Sequence, residues 1–363
     1  MNTKNNLVLN GRFLTRSMTG VDRVASELAV ALTQISPETD MHLALPSAPV
    51  HAPETTPEEI LNLDKLGQSR HSGHLWEQVE LPRLLESDQW LLSLCNTGPV
   101  MRSRQAVMIH DAQVFTQPAS YSRAFRSLYR VLLPTLARRS RVLLTVSDFS
   151  RLELEKHGVF PEGKARVIHN GVDHLAEISP DTEALARHGL EPGGYFLAIG
   201  SLAPHKNLRL LASAAQARDK GSLPLIVAGG GNSTVFKDDG LVEHEGLRFL
   251  GRVSDNELKA LYNDAYALLF PSLTEGFGLP PLEAMSCGCP VLATTGGAVP
   301  EVCGDAALFV DPRQQQDWTD AMLRIEAEPN LRTDLAGKGR ERAAMFTWKR
   351  AAEQLLTALD EAS

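Results

Sequence analysis

Two glutamates, Glu275 and Glu283, stand in one segment with seven residues between them: Pro271-Ser-Leu-Thr-Glu-Gly-Phe-Gly-Leu-Pro-Pro-Leu-Glu283. The segment follows an apolar run, makes a loop bearing Gly276 and Gly278, and begins a helix at Pro280 or Pro281, where proline is favoured. Glycines admit close backbone approach, and free amides at a helix N-terminus suit a phosphate. This pattern puts Glu283 in the first helical turn, where its carboxylate can accept two hydrogen bonds from a ribose diol. Glu275, on the loop, is free to face a sugar. Taken as an isolated pair, Glu283 reads first as a helix-dipole carboxylate and Glu275 as a solvated loop charge.

Further groups follow other apolar runs. In Tyr195-Phe-Leu-Ala-Ile-Gly-Ser-Leu-Ala-Pro-His-Lys-Asn207, Lys206 is a flexible cation suited to a diphosphate, Ser201 adds a hydroxyl beside Gly200, and Asn207 would cap the next helix. Met108-Ile-His-Asp111 puts His110 at a strand end, as a ligand for a hydroxyl or phosphate or as a satisfied structural histidine. In Thr19-Gly-Val-Asp-Arg23, Gly20 would let the first loop approach a ligand. The run Gly229-Gly230-Gly231 lacks the spacing of a dinucleotide fingerprint and reads as a turn, with Gly229 offering a ligand-facing amide. Around Gly73–Pro82 and Asn96–Pro99, Trp76 could stack on a sugar while Asn96 and Thr97 bond hydroxyls. Trp76 as core and Glu77 as a helix cap fit equally well.

These residues need strands to hold them. Short apolar runs at 7–10, 41–46, 90–94, 106–110, 142–147 and 166–169 alternate with helix-length segments, as do those at 195–201, 224–228, 247–251, 267–271, 290–294 and 307–310. Continuous apolar strands separated by helices read as parallel sheets covered on both faces. About six strands per half give two doubly wound sheets, where ligands sit beyond the carboxyl ends of the strands. The expected division is 1–173, 174–344 and a terminal helix, 345–363, crossing back to the first domain, with Asn170 to Asp173 as a hinge. Residues 46–73 read as a long, mobile loop. The segment 121–141, from Tyr121 to Arg141, places Phe125, Leu128, Tyr129, Leu132, Leu133 and Leu136 on one helical face, with arginines elsewhere. Pro134 should kink or end that helix. Such a segment is a candidate for peripheral contact with an anionic membrane, and packing on the sheet explains its stripe equally well.

The 363 residues are 43% hydrophobic and 22% charged, which excludes disorder and fibrous classes. A net charge of −8 argues against nucleic acid as a partner, although residues 102–166 hold 12 basic and 5 acidic side chains. No apolar run approaches a membrane span, and the start lacks a signal-peptide pattern. A cytoplasmic protein is expected, any membrane contact being at the inner face of the cytoplasmic membrane. Cys95, Cys287, Cys289 and Cys303 lack zinc-ligand spacing and read as reduced and buried, so no metal site is expected. No Asp-x-Asp motif follows a strand either.

Together these segments resemble the retaining glycosyltransferases of family 4, whose mark is the glutamate pair in TEGFGLPPLEAMSCGCPVLAT. The resemblance extends through GGAVPEVCGDAALFVDP, VIHNGVD, YFLAIGSLAPHKN, VSDFSRLEL and IHDAQVF to Phe346-Thr-Trp348, nearly the whole chain. It implies a GT-B fold, two Rossmann-like domains facing across a cleft, acting on a nucleotide-sugar donor and a saccharide or lipid-linked saccharide acceptor. No cofactor is implied. By the same resemblance Glu283 binds the ribose, Glu275, Gly276, Phe277, Gly278 and Leu279 lie against the donor sugar and diphosphate, Lys206 neutralises the diphosphate, and His110 contacts the transferred sugar. Where many members carry an arginine this chain has Ser201, as in a mannosyltransferase-like branch. His205 or Arg252 would have to replace that charge. The branch suggests GDP-mannose and surface-polysaccharide synthesis. A sugar-nucleotide epimerase and a non-catalytic sugar-nucleotide binder are the alternatives.

Overall fold

Among the described residues every strand is short, and the central strands of both sheets are buried and almost wholly apolar on both faces, so those must be covered from two sides. In this computed structural model the described residues are 6–16, 18–46, 57–67, 69, 71–201, 203–219, 221–230, 243–244 and 246–363. They form two compact units, one comprising residues 1–171 with 347–363 and the other residues 172–346.

The first unit contains β1 (Leu7–Asn10), β2 (Met41–Ala44), β3 (Asp64–Leu66), β4 (Trp90–Ser93), β5 (Gln105–Met108), β6 (Val142–Thr145) and β7 (Ala165–Val167). Their order is β3-β2-β1-β4-β5-β6-β7, parallel throughout. The order reverses between β1 and β4, which places the ligand crevice of a doubly wound sheet at the carboxyl ends of those two strands. The helix Gly20–Ile35 buries Val24, Ala25, Leu28, Ala29 and Leu32 at three- and four-residue spacing. Its start is fixed by Asp22, which accepts from the Thr19 amide at 3.0 Å and the Thr19 hydroxyl at 2.7 Å. The helix Trp348–Asp360 packs against it, burying Trp348, Ala351, Ala352, Leu355 and Leu359. Truncating one such leucine to alanine costs about 2–5 kcal/mol.

The second unit contains β8 (Phe196–Ile199), β9 (Leu225–Ala228), β10 (Leu247–Gly251), β11 (Ala267–Phe270), β12 (Val291–Thr294) and β13 (Leu308–Val310). The order is β10-β9-β8-β11-β12-β13, again parallel. Here the reversal lies between β8 and β11.

Three expectations need correction. Residues 46–73 are not a bare loop: the helix Glu58–Leu61 and the strand β3 lie within them, although 47–56, 68 and 70 fall outside the described residues. With Asp64 and Lys65 exposed, β3 is a charged edge strand without the apolar run that marks the central strands. Pro134 neither ends nor divides the helix Arg123–Arg139, because Tyr129, Leu133, Leu136 and Ala137 on both sides of it are buried in the same core. Leu128 leaves the expected stripe. It is 48% exposed, beside Val131 at 69%, on a helix with five arginines and no carboxylate.

Candidate active site

At the reversal of the second sheet, β8 ends in Gly200 and Ser201, and a single helical turn, Pro204–Lys206, presents Lys206. The loop after β11 presents Glu275. The two side chains meet, Lys206 Nζ lying 2.7 Å from Glu275 Oε1. Both loops are pinned from behind: the Leu273 amide donates to the His205 carbonyl at 2.7 Å, and Asn207 Nδ2 donates to the Pro271 and Pro312 carbonyls at 3.2 and 2.6 Å. Asn207 thus starts the next helix with its side chain tying loops together instead of capping. Glu275 is held by the Ala298 amide, 3.0 Å from its carbonyl, and by Gly297, where a Cβ would fall 2.3 Å from the Glu275 nitrogen.

The helix Leu279–Ser286 begins after Gly278, whose φ of 108° explains a glycine there. Pro280 and Pro281 occupy its second and third positions and have no N–H, so the amides of Gly278 and Leu279 are the ones left for an anion. Glu283 is the fifth helical residue, past the first turn where the sequence placed it. It is 7% exposed, and its Oε2 accepts from the Tyr262 hydroxyl at 2.9 Å, while His174 Nε2 stands 3.9 Å from Oε1.

In the first unit the residues after β1 and β4 form a buried polar floor. Glu77 lies on a π-helical turn, Trp76–Glu80, a geometry that is rare and frequent at functional sites. Its carboxylate meets Arg12 Nε at 3.1 Å, Asn10 Nδ2 at 3.0 Å and the Thr97 hydroxyl at 3.1 Å. Burial pushes its pKa up, and the His74 side chain, with Nδ1 3.4 Å from Oε2, outweighs that together with Arg12, Asn10 and Thr97, so the pKa lies below the usual range. His110 is buried, with Nε2 2.8 Å from the Leu94 carbonyl. A carbonyl only accepts, so Nε2 bears the proton and Nδ1 the lone pair. Burial lowers its pKa to about 4, leaving a neutral imidazole. Asn96, in the left-handed region at φ 67°, accepts from the His110 amide at 2.8 Å.

Residues 181–342 match the family described as glycosyl transferases group 1. O-antigen chain mannosyltransferase B of Escherichia coli is 33% identical over 276 residues, which cover 72% of this chain and 71% of that protein. The chain belongs to the group 1 glycosyltransferases. O-antigen chain mannosyltransferase RfbU of Salmonella typhimurium is 32% identical over 65% of this glycosyltransferase and 64% of its own length. Two solved structures share the fold: sucrose-phosphate synthase from Thermosynechococcus elongatus (TM-score 0.74, 19% identity, 99% and 100% of the chains) and WaaG, a glycosyltransferase involved in lipopolysaccharide biosynthesis (0.71, 17%, 98% and 99%). The fold is therefore GT-B.

In this glycosyltransferase the expected donor residues separate into two groups. Lys206, Glu275, Gly276, Gly278 and Leu279 share the loops at the sheet reversal. The Phe277 ring is turned inward, edge-on to Phe346 at 6.0 Å, and does not face a ligand. The Gly229 amide does not face a ligand, since it donates to the Gly251 carbonyl at 2.7 Å; Gly231 lies outside the described residues. Ser201 is exposed and accepts from the Ala203 amide at 3.4 Å. His205 is buried, and burial and then the neighbouring Lys206 lower its pKa, which disfavours a positive charge on it. Arg252 is exposed at the end of β10. Gly20 starts the first long helix with open space where a Cβ would stand, so no protein contact calls for a glycine there.

Of the acceptor residues, Trp76 is fully buried with Val8, Ala44, Leu81 and Leu91 and offers no face to a sugar. Thr97 is 1% exposed, its hydroxyl donating to Glu77 and accepting from Arg12 Nη2 at 2.5 Å. Asn96 spends its carbonyl oxygen on the His110 backbone. Sequence reasoning missed Arg12, Glu77, Tyr262 and Gly297 as contributors. Arg12 had a usable signal, a cation just beyond the first strand; Tyr262 and Gly297 act through contacts that no local pattern records.

Proposed function

We propose that the protein transfers a hexose, first of all mannose from GDP-mannose, to a saccharide or lipid-linked saccharide acceptor in O-antigen-type surface polysaccharide synthesis, with retention and without a metal. The observation that carries the reading is the Lys206–Glu275 contact of 2.7 Å at the reversal of the second sheet, one short loop from Glu283. In the proposed step the acceptor oxygen bonds to the anomeric carbon from the face that the diphosphate leaves. The carbon–oxygen bond to phosphate breaks, and the acceptor proton passes to the departing phosphate oxygen. Negative charge grows on that leaving group, and Lys206 with the Gly278 and Leu279 amides is the set of groups able to meet it. His110, neutral with its Nδ1 lone pair free, would accept from a hydroxyl of the transferred sugar. The two O-antigen mannosyltransferase relatives support the choice of mannose and of surface polysaccharide.

The test is a panel of GDP-, UDP- and dTDP-sugars scored by thermal shift, then by nucleoside diphosphate release with EDTA and with the product's anomeric configuration read by NMR. A bound donor at a hundredfold over its Kd stabilises by about 2.7 kcal/mol. GDP-mannose should stand out, and turnover should survive EDTA with an axial product. Another donor, inversion, or loss of activity in EDTA would each overturn its part of the reading.

We further propose that the helix Arg123–Arg139 meets an anionic bilayer through Leu128 and Val131 among exposed Arg123, Arg130 and Arg138. Among the described residues no helix is long and apolar enough to cross a membrane. Cosedimentation with phosphatidylglycerol vesicles should be salt-sensitive and should fall in Arg130→Ala/Val131→Ser. Binding unchanged by that variant would remove the assignment.

A further inference from the structure

We infer that Tyr262 is a positioning residue for Glu283 and that this contact sets the preference of the site for ribose over 2′-deoxyribose. The inference rests on the reading of Glu283 as the ribose ligand and extends it to a residue from another helix. Tyr262 lies on Asp255–Asp264, the helix before β11, and Glu283 on Leu279–Ser286, the helix after it. The phenol is fully buried, and its hydroxyl has the Glu283 carboxylate 2.9 Å away.

A buried phenol needs a partner, and burial together with the neighbouring carboxylate pushes its pKa well above the ordinary value, so it remains a donor. The geometry needs such a donor. A glutamate has three rotatable bonds, and its last torsion is broad, so the plane of the carboxylate is not set by its own rotamer. Two ribose hydroxyls can be gripped together only if that plane is fixed. The Tyr262 hydroxyl fixes it by donating to one lone pair of Oε2, one of the roughly four acceptor sites of a carboxylate. His174 Nε2 is 3.9 Å from Oε1, farther than the 2.9 Å of the Tyr262 hydroxyl from Oε2. Charge-assisted bonds of this kind are among the strong ones, and both helices are anchored on the core of one sheet.

The test compares GDP with 2′-deoxy-GDP, and UDP with 2′-deoxy-UDP, by calorimetry on the full chain, with inorganic pyrophosphate as a ligand that lacks ribose. Wild type should prefer the ribonucleotide. Tyr262→Phe, which removes only the hydroxyl, should weaken the ribonucleotide by about tenfold and the deoxynucleotide far less, with pyrophosphate unchanged. Tyr262→Leu, which also lacks the hydroxyl but packs differently, should lose the same preference. Glu283→Gln should lose it too, and adding Tyr262→Phe to it should change the ratio no further. An unchanged ratio in Tyr262→Phe or Tyr262→Leu, with the ratio lost in Glu283→Gln, would overturn the role of Tyr262 alone. An unchanged ratio in Glu283→Gln would overturn the ribose assignment itself.

Discussion

Because Lys206 and Glu275 neutralise one another at 2.7 Å, the diphosphate of the proposed donor would meet an ion pair instead of a bare cation. An ammonium has three donors, so Lys206 can keep Glu275 and still bond a phosphate oxygen. Its value then rises as charge accumulates on the leaving group, and Lys206→Ala should lower kcat by more than it weakens donor binding. Calorimetry beside initial rates decides this; equal losses would count against the role. His110 makes a different prediction. Its pKa in the fold is about 4 against 6.5 unfolded, so between those values the unfolded chain binds a proton that the native chain refuses. Stability contributed by the neutral imidazole is therefore complete above pH 6.5 and falls as pH drops toward 4, by on the order of 3 kcal/mol. Urea midpoints from pH 7 to 4.5 should fall less steeply in His110→Gln than in wild type. The same substitution should leave GDP affinity near normal and remove most transfer, and a large fall in GDP affinity would show that His110 acts elsewhere.

Elements carry the next level of constraint, and the loops at sheet reversals are the least tolerant. In Gly297→Ala the new methyl would lie 2.3 Å from the Glu275 nitrogen and 2.7 Å from its oxygen, at a φ of 68°. Strain of this kind costs on the order of 1–3 kcal/mol, so the variant should melt several degrees lower and transfer poorly. Gly20→Ala, with nothing within 4 Å of the new methyl, should melt as wild type does. An equal response of the two glycines, read by calorimetric melting, would disprove the close approach at Glu275. The strands were readable because burial on both faces demands apolar runs, and Trp90-Leu-Leu-Ser93 or Val291-Leu-Ala-Thr294 has no other use. The strand β3 was unreadable because an edge needs charge more than apolarity. Glu283 slipped past the first turn because Leu279 already adopts helical geometry ahead of the two prolines. Trp76 was ambiguous for a physical reason: an indole serves a sugar or a core equally well, and only the neighbours Val8, Leu81 and Leu91 decide. Tyr262 carries no local signal because its partner is 21 residues away.

At the scale of the whole molecule, each unit closes its own sheet and core, and the first is built from two stretches of chain. Deleting residues 347–363 removes the helix Trp348–Asp360 from Gly20–Ile35 and uncovers an apolar face of the first unit. Calorimetry should then show the loss confined to the transition of the first unit, while GDP still raises that of the second. Loss of the GDP response would show that the second unit needs the terminal helix as well. The same interrupted connectivity orders events at the ribosome. The unit that begins synthesis first is finished last, for the helix that covers Gly20–Ile35 emerges only after residues 172–346 have been made. At 5–20 residues per second that interval is roughly 10–35 s. Throughout it the early half waits with one flank greasy and uncovered, a client for holdase chaperones, while the later half already has every segment its fold requires.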